Sequence, residues 1–246
     1  MNLILIRHGE SEWNLLNKFT GWHDVSLTEK GKKEAHYSGQ QLLKLGLEIN
    51  CVYTSLLNRA TETTSIIANI IKFPIEEINY EWRLNERHYG ALQGLNKSEI
   101  AAKYGEDQVH LWRRSFDIPP PKVDINDKRH PINNEKFKFI GKELPSGESL
   151  KHVIYRINPF WENFVKNVLK KNGNYIIIAH SNSIRAIIKI LEKLSNEDIA
   201  LVNIPTGVPL VYNLTPSLDI KSKKYLISDD ELIKKQMIIK NQGKAN

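Results

Sequence analysis

Two histidines follow apolar segments of the chain in the same way. Leu3–Ile6 is followed by His8, and Ile176–Ala179 is followed by His180. One histidine after a strand would be an ordinary solvated residue, but two matched positions favour a shared pocket. Ligands of open α/β sheets bind beyond the carboxyl ends of the strands. If both strands are central, we expect the two histidines to converge on one site.

Two arginines accompany these histidines. Arg7 directly precedes His8, and Arg59 lies in the first turn of a helix predicted after the strand Cys51–Thr54. A cation gains nothing from the dipole at the start of a helix, which favours negative charge. Arginine binds phosphate oxygens in a bidentate manner, so an anion near Arg59 would resolve the conflict. The alternative is that Arg59 is a surface residue paired with Glu62.

These residue types suit phosphoryl transfer. A neutral imidazole is a nucleophile toward phosphorus, and further cations stabilise the transferred group. A carboxyl group must also move a proton, and Glu86 in "LNERHYGALQGLNK" could do so. Gly9 would let the backbone approach a ligand closely. Polar groups from nearby loops would line the same pocket, namely Ser11, Asn14, Thr20 and Gly21.

The remaining composition restricts the class of protein. The eight histidines have no HExxH spacing and there is one cysteine, so we expect no metal site and no internal disulfide. The lone Cys51 fits a cytoplasmic protein. We expect no membrane span, because no apolar segment reaches 18 residues, and no signal peptide, because the N-terminus has a strand pattern.

The net charge of +7 raises a nucleic-acid hypothesis. The lysines are scattered, however, and no basic stripe with interleaved aromatic residues or DNA-binding motif accompanies them. A small anionic ligand explains the charge equally well. We therefore expect no nucleic-acid partner.

Strand and helix patterns alternate along the chain. Strands are predicted at Leu3–Ile6, Cys51–Thr54, Tyr175–Ala179, Leu210–Leu214 and Tyr225–Ile227. Helices are predicted from the cap Thr28 to about Leu45, near Leu57–Ile71, from Leu150 onward, over Ile184–Glu192, at Ser195 and from Asp229 to about Lys240. This alternation predicts an α/β fold, a three-layer α/β/α sandwich around a mostly parallel sheet.

One domain is expected over residues 1–246, with two irregular parts. The stretch from about 80 to 144 has weak periodicity and is too long for a connector, so it is predicted to be an insertion or lid. The tail from about 229 to 246 is predicted to be mobile.

Several motifs together resemble one family. "LIRHGESEWN" resembles the signature of the histidine phosphatase superfamily. "FTGWHDVSLTEKG", "TSLLNRA", "LNERHYGALQGLNKSE", "WRRSF", "LPSGESL" and "NIPTGVPLVY" resemble the 2,3-bisphosphoglycerate-dependent phosphoglycerate mutases. Because the motifs run in order along the whole chain, the resemblance implies the phosphoglycerate mutase-like fold.

The resemblance also implies roles for particular residues. His8 would be the phosphorylated nucleophile, Glu86 the proton donor and acceptor, and Arg7, Arg59 and His180 the phosphate pocket. Substrate-binding residues would be Ser11, Asn14, Thr20, Gly21, Arg87, His88, Tyr89, Lys97, Arg113, Arg114, Ser181 and Asn182. Ser181 departs from the family, which usually has glycine there. Either the backbone accepts the serine and its hydroxyl becomes a donor, or the phosphate shifts.

The activity implied is a glycolytic isomerisation of 3-phosphoglycerate and 2-phosphoglycerate. It would proceed through a phosphohistidine and a 2,3-bisphosphoglycerate intermediate, with 2,3-bisphosphoglycerate as primer and no metal. A homodimer or homotetramer is implied as well. Two alternatives stay open, a superfamily phosphatase with water as acceptor and a non-catalytic phosphate-binding protein. Lys97, Arg113 and Arg114 would be surplus to a simple phosphatase, and a non-catalytic protein would have no need of His8 and Glu86.

Overall fold

A six-stranded sheet lies at the centre of the computed structural model, which describes residues 1–242 and 244. The strands are β1 Asn2–Arg7, β2 Cys51–Thr54, β3 Asn79–Tyr80, β4 Asn174–Ala179, β5 Leu210–Leu214 and β6 Ile220–Tyr225. Their order is β3-β2-β4-β1-β5-β6. The first four strands of this order are mutually parallel, while β5 and β6 are antiparallel at one edge. The prediction of a mostly parallel sheet is confirmed.

Helices cover both faces of this sheet. They are α1 Glu12–Leu15, α2 Glu29–Lys44, α3 Asn58–Ile71, α4 Lys97–Tyr104, α5 Glu106–Arg114, α6 Leu150–Asn167, α7 Ser181–Glu192, α8 Asn196–Leu201 and α9 Asp229–Asn241. Alternate residues of β1 point to opposite faces. Leu3 and Leu5 pack with α6 and α7, whereas Ile4 and Ile6 pack in the cluster that includes α2 and α3. The expected three-layer sandwich is confirmed.

Two predicted boundaries are wrong. β6 spans Ile220–Tyr225 and not Tyr225–Ile227, because this exposed edge strand is held by pairing with β5 and has no apolar pattern. α7 begins at Ser181, three residues before the predicted start. Ser183 Oγ accepts a hydrogen bond from the His180 backbone N–H at 3.0 Å, so the polar residues form the first turn of the helix.

The segment between residues 80 and 144 contains α4, α5 and several single-turn 3-10 helices. It has apolar contacts of its own, including Leu92, Ile100 and Val109 packed on Phe19. Its function as a lid stays a prediction. In the tail, α9 confirms the predicted helix, while residues 243, 245 and 246 lie outside the described residues. No helix in the described part of the chain has the length and apolar character needed to span a membrane.

Candidate active site

The two histidines lie side by side at the carboxyl edge of the sheet. Arg7 and Ala179, the last residues of β1 and β4, are paired in register. The backbone N–H of His8 donates to the Ala179 carbonyl at 3.0 Å. The ring centroids of His8 and His180 are 4.9 Å apart, and both side chains are buried. Regular strand pairing therefore sets the distance between the rings.

His8 is held as a neutral imidazole of defined tautomer. Its Nδ1 lies 2.7 Å from the Gly9 carbonyl oxygen, which can only accept, so Nδ1 carries the proton. Nε2 keeps its lone pair and accepts from Arg59 Nε at 3.3 Å. Burial, followed by the charges of Arg59 and Arg7, holds the pKa of His8 well below its usual 6.5. Nε2 is thus a nucleophilic atom that stays unprotonated at neutral pH.

Arg59 is a buried residue of the site and not a surface residue paired with Glu62. Its Nη1 donates to the His23 carbonyl at 3.1 Å, and its Nη2 donates to the Gly21 carbonyl at 2.8 Å. Burial lowers the pKa of Arg59 to about 10, although the carboxylate of Glu86 opposes the shift. These bonds fix the guanidinium beside His8.

His180 is positioned by a residue that the sequence did not single out. Ser55 follows β2, and its Oγ lies 2.7 Å from His180 Nε2. Nδ1 of His180 is buried and has no hydrogen-bond partner among the described residues. Burial, with the charges of Arg59 and His8 next in importance, holds the pKa of His180 well below 6.5. The imidazole therefore keeps one nitrogen available to a ligand.

Glu86 is the carboxylate among the residues that line the cavity. Its Oε1 accepts from the Arg87 N–H at 2.7 Å and from Asn182 Nδ2 at 2.9 Å. Asn182 is oriented in turn by Arg185, whose Nη1 donates to Asn182 Oδ1 at 2.9 Å. Sequence reasoning missed Arg185, although its position one helical turn after Asn182 was a usable signal.

Cations crowd the rest of the cavity. Burial, then the charges of Arg113 and Arg7, hold the pKa of Lys97 well below 10.5. Burial lowers the pKa of Arg113 to about 10, and Arg114 is shifted in the same direction for the same reason. Burying like charges together is costly unless a partner of opposite charge compensates them. The cavity is therefore built for a ligand with several negative charges.

Most predicted site residues meet at this cavity. It is lined by Arg7, His8, Asn14, Thr20, Gly21, Arg59, Glu86, Tyr89, Lys97, Arg113, Arg114, Ser181 and Asn182. His180 lies behind His8 and is fully buried. Ser181 is the first helical residue of α7, a conformation that a serine adopts without strain, so the backbone accepts its Cβ.

Besides His180, three predicted residues do not line the cavity. Ser11 caps α1. Arg87 donates from Nη2 to the Arg113 carbonyl at 3.0 Å, and its guanidinium lies over the Tyr89 ring at 4.6 Å. His88 packs edge-on against Trp22, and burial lowers the pKa of His88 to about 4. Their contacts are with neighbouring protein groups, and a direct role in ligand binding stays a prediction.

Three lining residues were not predicted, namely Lys18, Ile239 and Gln242. Ile239 belongs to α9 and Gln242 follows it, so the C-terminal helix closes part of the cavity. Lys235 of α9 forms an ion pair with Glu34 at 3.0 Å. The helical pattern of the tail was visible in the sequence, but nothing there indicated where it docks.

The positively charged and imidazole side chains that line this cavity come from arginine, lysine and histidine. Across residues 1–242 and 244, no group of three or more histidine, cysteine or acidic side chains is arranged to hold a metal ion.

Comparison with known proteins identifies the superfamily to which this chain belongs. The sequence matches the model of the histidine phosphatase superfamily (branch 1) over residues 3–211. A solved mycobacterial glucosyl-3-phosphoglycerate phosphatase superposes with a TM-score of 0.67 at 21% identity, covering 86% of this chain and 92% of that one. An α-ribazole phosphatase from Shigella flexneri superposes with a TM-score of 0.64 at 18% identity, covering 87% and 91%. These two structures share the fold.

Closer relatives define the family. The chain is 46% identical over 244 residues to a protein of Hydrogenobaculum sp. (strain Y04AAS1), covering 99% of both chains. It is 50% identical over 245 residues to one of Treponema denticola, again covering 99% of both. Both relatives are named 2,3-bisphosphoglycerate-dependent phosphoglycerate mutase. The chain belongs to this mutase family of the histidine phosphatase superfamily, and the resemblance stated from its motifs is confirmed.

Proposed function

We propose that this protein is a glycolytic isomerase that interconverts 3-phosphoglycerate and 2-phosphoglycerate through a phosphohistidine and a 2,3-bisphosphoglycerate intermediate. The observation that carries the proposal is the neutral His8, with Nε2 unprotonated beside Arg59 in a cavity of cations. The full-length relatives named as mutases support the same reaction.

The cavity suits a doubly phosphorylated acid. Two phosphates at about −1.5 to −2 each and one carboxylate carry about five negative charges. The cations that line the cavity and can match them are Arg7, Lys18, Arg59, Lys97, Arg113 and Arg114. Arg7 Nε and His180 Nδ1 are buried without partners among the described residues, so they are free to bond to phosphate oxygens. 2,3-Bisphosphoglycerate supplies the phosphoryl group that loads His8.

Phosphoryl transfer uses the groups on the sheet edge. His8 Nε2 bonds to phosphorus as the P–O bond of 2,3-bisphosphoglycerate breaks, and the N–P bond breaks in turn when a substrate hydroxyl takes the group. Arg59 and Arg7 hold the equatorial oxygens, where charge is spread in the transition state. Ser55 Oγ lies 2.7 Å from His180 Nε2, and with the hydroxyl as the donor the imidazole proton is on Nδ1, which we assign to stabilise the transferred group.

The residue assigned to proton transfer, Glu86, lies in the segment over residues 80–144. Glu86 takes the proton of the substrate hydroxyl as that oxygen accepts the phosphoryl group from His8. It returns the proton to the other substrate oxygen when the P–O bond there breaks and His8 takes up the second phosphoryl group. Oε1 already accepts bonds from Arg87 and Asn182, so Oε2 is the oxygen assigned to this transfer. Lys97, Arg113 and Arg114 hold the carboxylate and the second phosphate.

A primer experiment tests the proposal. The protein is dephosphorylated and assayed for conversion of 3-phosphoglycerate to 2-phosphoglycerate, with and without 2,3-bisphosphoglycerate, while released phosphate is measured in parallel. We expect isomerisation that depends on the primer and far exceeds phosphate release. Phosphate release that outruns isomerisation would instead identify a phosphatase. Activity that is lost with a chelator would contradict a metal-independent reaction.

Other expectations about this protein stay predictions. These are a cytoplasmic location, a homodimer or homotetramer, and the absence of a nucleic-acid partner. Sedimentation analysis and salt-dependent DNA-binding assays address the last two.

A further inference from the structure

The motif "LPSGESL" contains a buried carboxylate, Glu148, that the proposed chemistry does not use. Glu148 is 4% exposed and pairs with Arg156, which is 5% exposed, through a contact of 2.8 Å from Nε to Oε1. A second bond of 3.0 Å joins Nη2 to Oε2. Neither residue lines the cavity. Because desolvation offsets the attraction within a buried ion pair, stability alone does not account for such a pair.

The pair bonds to the backbone on both sides of Glu86. Arg156 Nη1 donates to the Asn85 carbonyl at 3.2 Å, and Nη2 donates to the Glu86 carbonyl at 3.2 Å. On the other side, Glu148 Oε2 accepts from the His88 N–H at 2.8 Å. The segment that carries Glu86 has no strand or helix of its own to fix it. The side chains of Arg156 and Glu148 fix its backbone instead.

Trp22 connects this pair to the wall of the cavity. Its Nε1 donates to the Glu86 carbonyl at 2.5 Å, and the Arg156 guanidinium lies 5.6 Å from its ring centroid. Trp22 directly follows Gly21, which lines the cavity. The carbonyl of Glu86 thus receives donors from two directions, which restricts rotation of its peptide groups.

We propose that Arg156 and Glu148 are positioning residues for the acid/base Glu86. They hold the backbone of residues 85–88, so that the Glu86 carboxylate faces the substrate hydroxyl. They act through Glu86 and do not touch the substrate. The inference rests on the proposed function, since it gives a geometric basis to the proton transfer assigned there.

A double-mutant cycle tests this inference in the full-length enzyme. Glu148→Gln keeps the size of the side chain and removes its charge. We expect it to lower kcat about tenfold with KM within about twofold, and to shift the pH profile of kcat, because the loosened group is the acid/base. In the Glu86→Gln background, Glu148→Gln should lower kcat by less than about twofold, since no acid/base remains to be positioned.

Equal losses in the two backgrounds would overturn the inference, because a merely structural residue acts independently of Glu86. Unchanged kcat for Glu148→Gln would overturn it as well. Should Glu148→Gln lack native near-ultraviolet circular dichroism, Glu148→Asp, which keeps the charge but shortens its reach, is measured in the same cycle with the same expectation.

Glu192→Gln is the matched control. Glu192 forms an ion pair with Lys223 at 2.7 Å, remote from the cavity, and we expect unchanged kcat and pH profile. The proposed function fails separately, by absence of primer-dependent isomerisation in the unmodified enzyme. If that activity is present and depends on Glu86, additivity in the cycle rejects only the positioning role.

Discussion

The carboxyl edge of the sheet and the segment over residues 80–144 contribute to the site in different ways. His8 and His180 directly follow β1 and β4, and the register of these strands brings the two rings together. Glu86 instead lies between short 3-10 turns, where side chains hold the backbone in place. Backbone pairing positions the phosphate carrier, whereas side-chain bonds position the proton carrier.

This difference predicts unequal robustness of the two regions. A strand in the middle of a sheet keeps its geometry when one neighbouring side chain changes, because its ladder of backbone bonds remains. A segment held by a few buried side chains loses its geometry when one of them is replaced. Near β1 and β4, a substitution should therefore lower activity only when it replaces a reacting side chain. Near Glu86, replacing a side chain that merely holds the backbone should lower activity as well.

The largest effect is expected on the sheet edge. Replacing His8 with alanine removes the atom that bonds to phosphorus, so we expect mutase turnover to fall by about 10⁴-fold or more and no phosphoenzyme to form. Mutase assays and acid-labile labelling from the primer measure both. His36→Ala, a change at an exposed histidine of α2, should leave both unchanged. Retained turnover in the His8 variant would rule out the mechanism.

Glu86→Gln should separate the two regions. We expect kcat to fall by about 10²- to 10⁴-fold, the range for loss of general acid–base catalysis. Labelling of His8 by an aryl phosphate should persist, because a good leaving group needs no proton. Rapid-quench labelling and the steady-state assay provide the two readouts. If labelling of His8 fell as much as kcat, Glu86 would be needed for the phosphate site itself. The division of labour between the two regions would then be wrong.

Arg113→Gln should affect binding more than chemistry. Removing one charged donor to a carboxylate or phosphate costs about 1.5–3 kcal/mol, so we expect KM for 3-phosphoglycerate to rise roughly 10- to 100-fold. The change in kcat should be much smaller. Steady-state kinetics measures both, with Lys103→Gln on the exposed side of α4 as control. A fall in kcat at unchanged KM would assign Arg113 to the transition state instead.

The smallest effect concerns the stability of the segment around Glu86. His88 has a pKa of about 4 when folded and about 6.5 when unfolded, so it contributes stability above pH 6.5 that is lost as the pH falls toward 4. Between pH 7 and 5 this contribution should fall by about 2 kcal/mol. His88→Asn, which keeps an acceptor for the Gly90 N–H, should remove that part of the pH dependence. Urea unfolding of both proteins at the two pH values measures the difference. An equal change in the free energy of unfolding between pH 7 and 5 in the two proteins would contradict the prediction.

Local sequence patterns were sufficient for most of the fold. The apolar segments of β1 and β4 and the cap Thr28 of α2 are patterns that are visible within a few consecutive residues. β6 was misplaced because its residues are held by a partner strand and not by burial. Gly9 has a reason other than ligand approach, since a Cβ there would overlap with the Gly31 carbonyl of α2.

The supporting residues of the site could not be predicted in the same way. Ser55 contacts His180 across 125 positions of the chain, and Arg156 contacts the Glu86 backbone across 70. No periodicity or cap encodes such pairs, because they depend on where the sheet and α6 place the chain. Residue types showed which groups could do chemistry, while the bonds that hold those groups depend on tertiary structure.

The central position of β1 also has a consequence for folding during synthesis on the ribosome. Leu5 pairs with Ile177 on one side and Leu210 on the other, so β1 needs partners that are synthesised about 200 residues later. At about 5–20 residues per second, that delay is about 10–40 s. An apolar strand waits unpaired during this time, exposed to chaperones and to aggregation. We expect translation speed and chaperone supply to influence the yield of this protein.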